Sequence, residues 1–173
     1  FKAHSIYNDE NYDIKRWSGY GEINKQLRYN KLTLEGDMNL GLDLYSIQGR
    51  PSTDNNDNRY VDRISSGYSI SASQHFDILN ENLNLSIEPK LQYASIFSPD
   101  RTEEVPNRDA SEFQLDPANL FLNNQYQGRD NIQQNDRINL GITSLMMTEN
   151  YGDFDFFVGQ SQKLGGTQKN INV

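Results

Sequence analysis

The sequence has no cysteine among its 173 residues, so disulfides, thiolate catalysis and cysteine-based zinc sites are excluded within the chain. It also lacks any apolar run of the roughly 20 residues that a transmembrane helix needs. That shortage leaves a membrane location open, because spanning strands are short and apolar only at alternate positions. Basic residues are outnumbered: 16 Lys and Arg stand against 24 Asp and Glu, and the net charge of −8 argues against nucleic acid as a partner. Histidine is limited to His4 and His75, neither with an acid at a spacing that suggests a catalytic triad. Hydrophobic residues make up only 35% of the chain and mean hydropathy is −0.83, yet there are 10 Tyr and 8 Phe. Low hydropathy with many aromatics suits a fold in which every second residue of each strand is apolar. An initiating Met and a signal peptide are both missing at FKAHSIYN, which predicts a processed or excised piece.

What is present is alternation. In KLTLEGDMNLGLDLYSI, residues 31–47, Leu32, Leu34, Met38, Leu40, Leu42 and Leu44 share one parity, broken only by Gly36. Thr33, Glu35, Asp37, Asn39, Gly41, Asp43 and Tyr45 share the other. A strand turns successive side chains to opposite faces, so this segment has one greasy side and one acidic side. The same pattern opposes Trp17, Ile23 and Leu27 to Arg16, Ser18, Glu22 and Asn24, and Ile64, Tyr68 and Ile70 to Arg63, Ser65 and Ser69. It recurs in NLNLSIEPKLQYASIF, around Ile138, Leu140 and Ile142, and in Phe154, Phe156 and Val158. With FKAHSIY at the start, these runs make about seven strands and no helix.

Two architectures accommodate such strands: a soluble β-sandwich with the leucines on a core, or a membrane barrel with the leucines toward lipid and the acids toward a wet interior. Residues 29–31, 77–82 and 149–153 read as tight polar links, whereas 8–14, 48–58 and 98–135 are longer, so short and long links alternate. An outer-membrane barrel collects short turns on its periplasmic side and long loops outside. Several runs also exceed the roughly 9 to 11 residues a strand needs to cross a bilayer. Trp17, Tyr20, Tyr45, Tyr60 and Phe76 lie toward strand ends, as interfacial aromatic girdles require. The expected fold is therefore an all-β, antiparallel up-and-down meander, a slice of about seven strands from a larger outer-membrane barrel, since an odd number of strands does not close one.

The chemistry-bearing residues have plainer explanations. Glu35, Asp37, Asp43, Glu88 and Asp155 share the polar faces by alternation, which accounts for them without acid–base catalysis. DNNDNRYVD at 54–62 lacks the glycine and terminal glutamate of a calcium loop. Pro89 removes a ladder hydrogen bond and predicts a local kink. Residues 98–135 set Phe113, Leu115, Leu120, Phe121, Leu122 and Tyr126 among acids and amides, which suits a loop folded over a wide barrel.

This stretch also resembles a known family. Pro106-Asn107, Phe113 to Asp116, Asn119-Leu120-Phe121, Asn124, Tyr126, Gly128, Asp130 and Leu140-Gly141 resemble the barrel of the LptD family of LPS-assembly proteins, also called OstA or organic solvent tolerance proteins. LSIEPKLQYASIFSP and GQSQKLGG are similar to strands of the same family, and the likeness covers about residues 83–166. Gln125 and Asn131 stand where the family usually has arginine, and the family's cysteines and periplasmic jelly-roll domain are missing.

The resemblance implies a barrel in the bacterial outer membrane that receives lipopolysaccharide (LPS) from a periplasmic bridge, docked through an N-terminal domain this chain lacks, and releases it laterally into the outer leaflet. It implies an LptE-like lipoprotein plug, contact with outer-membrane lipid, no cofactor and no enzymatic activity. On this view Glu35, Asp37, Asp43, Glu88 and Lys90 face the lumen. Phe113, Leu120, Phe121, Tyr126, Gly128 and Asp130 structure an external loop at 98–135 of a single partial barrel domain, 1–173. A general porin or receptor barrel and a secreted β-sandwich binding module are the alternatives.

Overall fold

The computed structural model describes residues 2–8, 12–48, 58–80, 83–98, 111–112, 119–123, 126–127, 132, 135–149 and 151–164. Ten strands run in chain order: β1 (Lys2–Asn8), β2 (Tyr12–Tyr29), β3 (Leu32–Gln48), β4 (Asn58–Gln74), β5 (Phe76–Asn80), β6 (Leu83–Phe97), β7 (Ser111–Glu112), β8 (Tyr126–Gln127), β9 (Asn135–Thr148) and β10 (Gly152–Leu164). Apart from the small β7–β8 pair, they form one antiparallel sheet in the order β1-β2-β3-β4-β6-β9-β10, with β5 also on β6. Among the described residues there is no helix. The sheet is an up-and-down meander of seven places, open at β1 and β10.

The seventeen residues of β4 and the five of β5 occupy one place because their register against β6 is continuous. Ser73 pairs with Lys90 and Phe76 with Ile87, so nothing is inserted between them. The break falls at Gln74–His75, opposite Pro89 and Glu88, where the proline has no N–H to donate. The His75 amide donates instead to the Lys31 carbonyl on the other side, at 3.0 Å.

Two links differ from the sequence reading. Residues 77–82 are not all turn: β5 takes 76–80 and leaves two residues before β6. Likewise only three residues separate β1 from β2, so the first link at that end is short. The two later ones, between β3 and β4 and between β6 and β9, are long. At the opposite end the β2–β3 hairpin turns on Asn30, with φ at 54°, and Gly152 follows the β9–β10 turn with φ at 85°. Asn and Gly are the residues that adopt positive φ at least cost.

The faces are the reverse of a soluble sheet. Leu40 is 60% exposed, Ile70 62% and Val158 74%, while Asp43, Arg63, Ser69, Gln92, Arg137 and Asn139 on the other face are buried. No second layer covers the leucine face among the described residues, as a β-sandwich would require. Of the five aromatics expected at an interface, Trp17, Tyr60 and Phe76 lie on the apolar face, but Tyr45 and Tyr20 have the polar parity and Tyr45 is fully buried. Near the long-link end the polar face itself turns apolar: Ile14, Tyr45, Ile47 and Val61 form a small core there.

Candidate functional site

Register brings residues that are far apart in the chain into rungs on the polar face. One rung runs Gln26, Glu35, Ser71, Gln92, Asn139, Ser161 across β2, β3, β4, β6, β9 and β10. Glu35 is its hub. Its carboxylate accepts from Gln26 Nε2 at 3.1 Å, from Ser71 Oγ at 3.3 Å and from Lys90 Nζ at 3.0 Å. Lys90 reaches across β4 to do so, since β4 lies between β3 and β6. Further along, Asn139 Nδ2 donates to Gln92 Oε1 at 2.8 Å. The long polar side chains thus bond to one another along the sheet, with Asn139 Oδ1 left as a buried acceptor without a hydrogen bond.

Closer to the long links, Asp43 is the centre of a second network. Ser18 Oγ donates to Asp43 Oδ1 at 2.5 Å, and Arg63 Nη2 donates to Asp43 Oδ2 at 2.9 Å. Arg63 also donates to Tyr45 Oη at 2.9 Å and lies 5.6 Å from the Tyr45 ring centroid. Both members of this ion pair are almost fully buried, with side-chain exposures of 4% and 3%.

A segment of the long connection is seated on the same face. Residues 119–123 form a turn in which the Leu122 amide donates to the Asn119 carbonyl at 3.1 Å. Arg137, fully buried on β9, donates to the carbonyls of Leu122 and Asn123, the latter at 2.6 Å. Gln92 Nε2 donates to the Phe121 carbonyl at 2.9 Å, and Lys90 Nζ lies 5.1 Å from the Phe121 ring centroid. Two facing glycines make the seat flat. Gly141 and Gly159 are register partners, and a Cβ at Gly159 would lie 2.5 Å from Leu120 Cδ2. One at Gly141 would lie 2.8 Å from Phe121 Cζ. Gly141→Ala therefore lifts Phe121 and is expected to cost about 1–3 kcal/mol of stability as overpacking. Amide exchange over 119–123 should quicken, and exchange unchanged from the parent would show that the ring does not depend on the glycine.

A description of this family, "LPS transport system D", matches residues 1–171. The chain belongs to the LptD family. Relatives named LPS-assembly protein LptD occur in Hahella chejuensis, 30% identical over 82 residues, and in Pseudomonas savastanoi pv. phaseolicola, 28% identical over 99 residues. These matches cover 44% and 54% of this chain and only 10% and 11% of those proteins. A Pseudomonas putida relative of the same name is 26% identical over 99 residues. The chain thus spans a small part of the length of the LptD proteins it matches.

Glu35, Asp37, Asp43, Glu88 and Lys90 all have polar-face positions in the register, yet they do not form one site. Glu35 and Lys90 are joined, Asp43 belongs to the Arg63 network, and Asp37 accepts from Asn24 Nδ2 at 2.7 Å. Glu88 stands near His75, 3.7 Å away, by the strand break. Of the expected loop residues, Leu120 is fully buried and Phe121 partly so. Phe113, Gly128 and Asp130 lie outside the described residues, as does the side chain of Tyr126 in β8. Sequence reasoning passed over Arg63, Gln92, Arg137, Asn139 and the Gly141–Gly159 pair. Their parity was legible, but the partners of Arg63, Gln92, Arg137 and Asn139 depend on register or folding across long links, and the glycine pair, set by the short β9–β10 link, matters only because residues 119–123 fold onto it.

Proposed function

We propose that this chain is a wall segment of an outer-membrane barrel that delivers LPS to the outer leaflet. Its apolar face meets lipid, its polar face lines a wet lumen, and the short β2–β3, β5–β6 and β9–β10 links lie on the periplasmic side. The observation that carries this reading is the inverted sheet in a chain matched by the LptD family over 1–171: large apolar side chains are exposed on one face while charged ones are buried on the other. The slant of the apolar band supports it. On β10 the band gives way at Gln160, opposite an apolar Leu140, with Leu164 apart, and on β6 at Ser95, opposite Tyr68, with Phe97 apart, whereas on β4 apolar residues reach Ile64 with Ser66 between. A band oblique to the rungs is what strands tilted by about 35–45° present to a flat bilayer.

Within this reading Glu35, Asp37, Asp43, Glu88 and Lys90 line the lumen, and 98–135 is an external loop whose residues 119–123 pack inward. Leu120 and Phe121 anchor it, with Phe113, Tyr126, Gly128 and Asp130 as further loop structure. LPS, a lipoprotein plug of the LptE type and a periplasmic bridge are the corresponding partners. Depletion of the full-length protein is expected to stop newly made LPS from reaching the cell surface within a few generations, as read by surface labelling of LPS sugars. Undiminished labelling, with steady conductance of the purified protein in a planar bilayer, would replace this function with that of a porin.

A further inference from the structure

Lys25 interrupts the apolar face of β2. It has the parity of Trp17, Ile23 and Leu27, and its neighbours on that face, Ile23 and Leu27, are exposed apolar side chains. Among the described side chains the other charges of the apolar face, Lys15, Asp62 and Asp136, all fall within the first five residues of their strands, at the end away from the hairpins. Lys25 lies well beyond that margin and is exposed. Glu22, Glu35 and Asp37 have the opposite parity, and among the described residues Lys25 has no ion-pair partner. Its register partner on β3 is Gly36, where a Cβ would meet nothing within 4 Å. The lysine therefore stands beside an open gap in the leucine row, with the exposed Met38 and Leu40 continuing it toward the middle of β3.

An ammonium on a lipid-facing strand is costly at the bilayer midplane and tolerated near the headgroups, where its stem lies along apolar surface and its charge finds water or an anion. Lys25 is four residues from Tyr29, at the hairpin end of β2, and eight from Trp17 near the other end. At about 3.4 Å per residue on a strand tilted by about 35–45°, four residues amount to roughly 10 Å of depth. An extended lysine and a phosphate drawn in from the headgroups close that span between them. A compact ammonium with three donors suits a phosphate oxygen, and with no acid of its own it favours a lipid of net negative charge over a zwitterion. We propose that Lys25 and the Gly36 gap hold an anionic phospholipid of the periplasmic leaflet, its phosphate on the ammonium and an acyl chain in the gap toward Met38 and Leu40. The proposal rests on the reading above in which the apolar face meets lipid and the hairpin end is periplasmic.

The test is photocrosslinking of the full-length protein in lipid vesicles, with phosphatidylglycerol or phosphatidylcholine carrying the same diazirine on the acyl chain close to the glycerol, and labelled peptides located by mass spectrometry. Phosphatidylglycerol is expected to label the segments around Lys25 and Gly36 at least threefold more than phosphatidylcholine. Lys25→Gln should bring the two lipids to the same level and Lys25→Arg should keep the preference, all variants retaining the parent's circular dichroism. Should Lys25→Gln fail to fold, Gly36→Leu, whose side chain enters open space, is expected to cut phosphatidylglycerol labelling there at least threefold. A preference that survives in Lys25→Gln overturns the proposal. Equal labelling of the parent by both lipids overturns the site alone and means that the ammonium is neutralised within the protein wall. Labelling of these rows by neither lipid overturns the site together with the lipid-facing reading.

Discussion

Replacing Arg63 by alanine is expected to lower stability by about 3–5 kcal/mol, because it breaks a buried ion pair by removing one member. The pair is 2.9 Å apart and both side chains are nearly inaccessible, so water cannot substitute for the guanidinium. Ser18 Oγ would remain as a donor, but a hydroxyl dipole does not balance a charge. The Tyr45 hydroxyl loses the Arg63 donor at the same time. Arg63→Ala therefore removes one charge and at least the hydrogen bonds to Asp43 and Tyr45 at the point where β3 and β4 pair before their long link. Urea unfolding of the detergent-solubilised full-length protein, followed by circular dichroism, gives the number. The double variant Asp43→Asn with Arg63→Gln should be much less damaging than Arg63→Ala alone, since both charges of the pair go together. A loss below about 1 kcal/mol for Arg63→Ala would show that the pair is solvated in the intact barrel.

The second large effect concerns the opposite face. Leu40→Arg is expected to cost about 2–4 kcal/mol in a bilayer, the figure for an arginine near the midplane of a lipid-facing strand. Leu40 lies in the interior of the Leu32–Leu44 row and is 60% exposed in the chain alone, so on this reading its exposed side meets lipid. Glu22→Arg, on the polar face of β2 and exposed, should stay within about 0.5 kcal/mol, as surface substitutions usually do. The comparison is made in lipid vesicles by the same unfolding measurement. Similar costs for the two would mean that both faces are wet, which a lipid-facing leucine row does not allow.

The strands and their faces were legible in the sequence because alternation is a local property. Leu32 to Leu44 on one side and Glu35 to Tyr45 on the other follow from the pleat alone, whatever β3 pairs with. The Asn30 turn was legible for a similar reason, since two residues between long strands leave few geometries. The extension of β4 into β5 was hidden by Asp77 and Asn80, which read as turn residues, although the alternation of Phe76 and Ile78 continues through them. Tyr45 misled as a girdle residue because position near a strand end was weighed above its parity.

The candidate site was less accessible to such reading. Asp43 meets Arg63 only through a register that spans a long link, and a shift by two residues would preserve both faces while separating the pair. Glu35 meets Lys90 across an intervening strand, and Arg137 meets the Leu122 and Asn123 carbonyls because residues 119–123 fold back onto β9. None of these partnerships has a periodicity.

The sequence by itself thus determined the strand class, the two-faced character of each strand and the tight turns at the β2–β3 and β9–β10 hairpins, consequences of local backbone geometry. Only the tertiary structure decided which polar residues share a rung, which of them pair as ions and which glycines form the loop's seat. Beyond the tight hairpins, those outcomes depend on how strands joined by long links pair and on where residues 119–123 fold, and the sum of side-chain contacts across the sheet selects one arrangement.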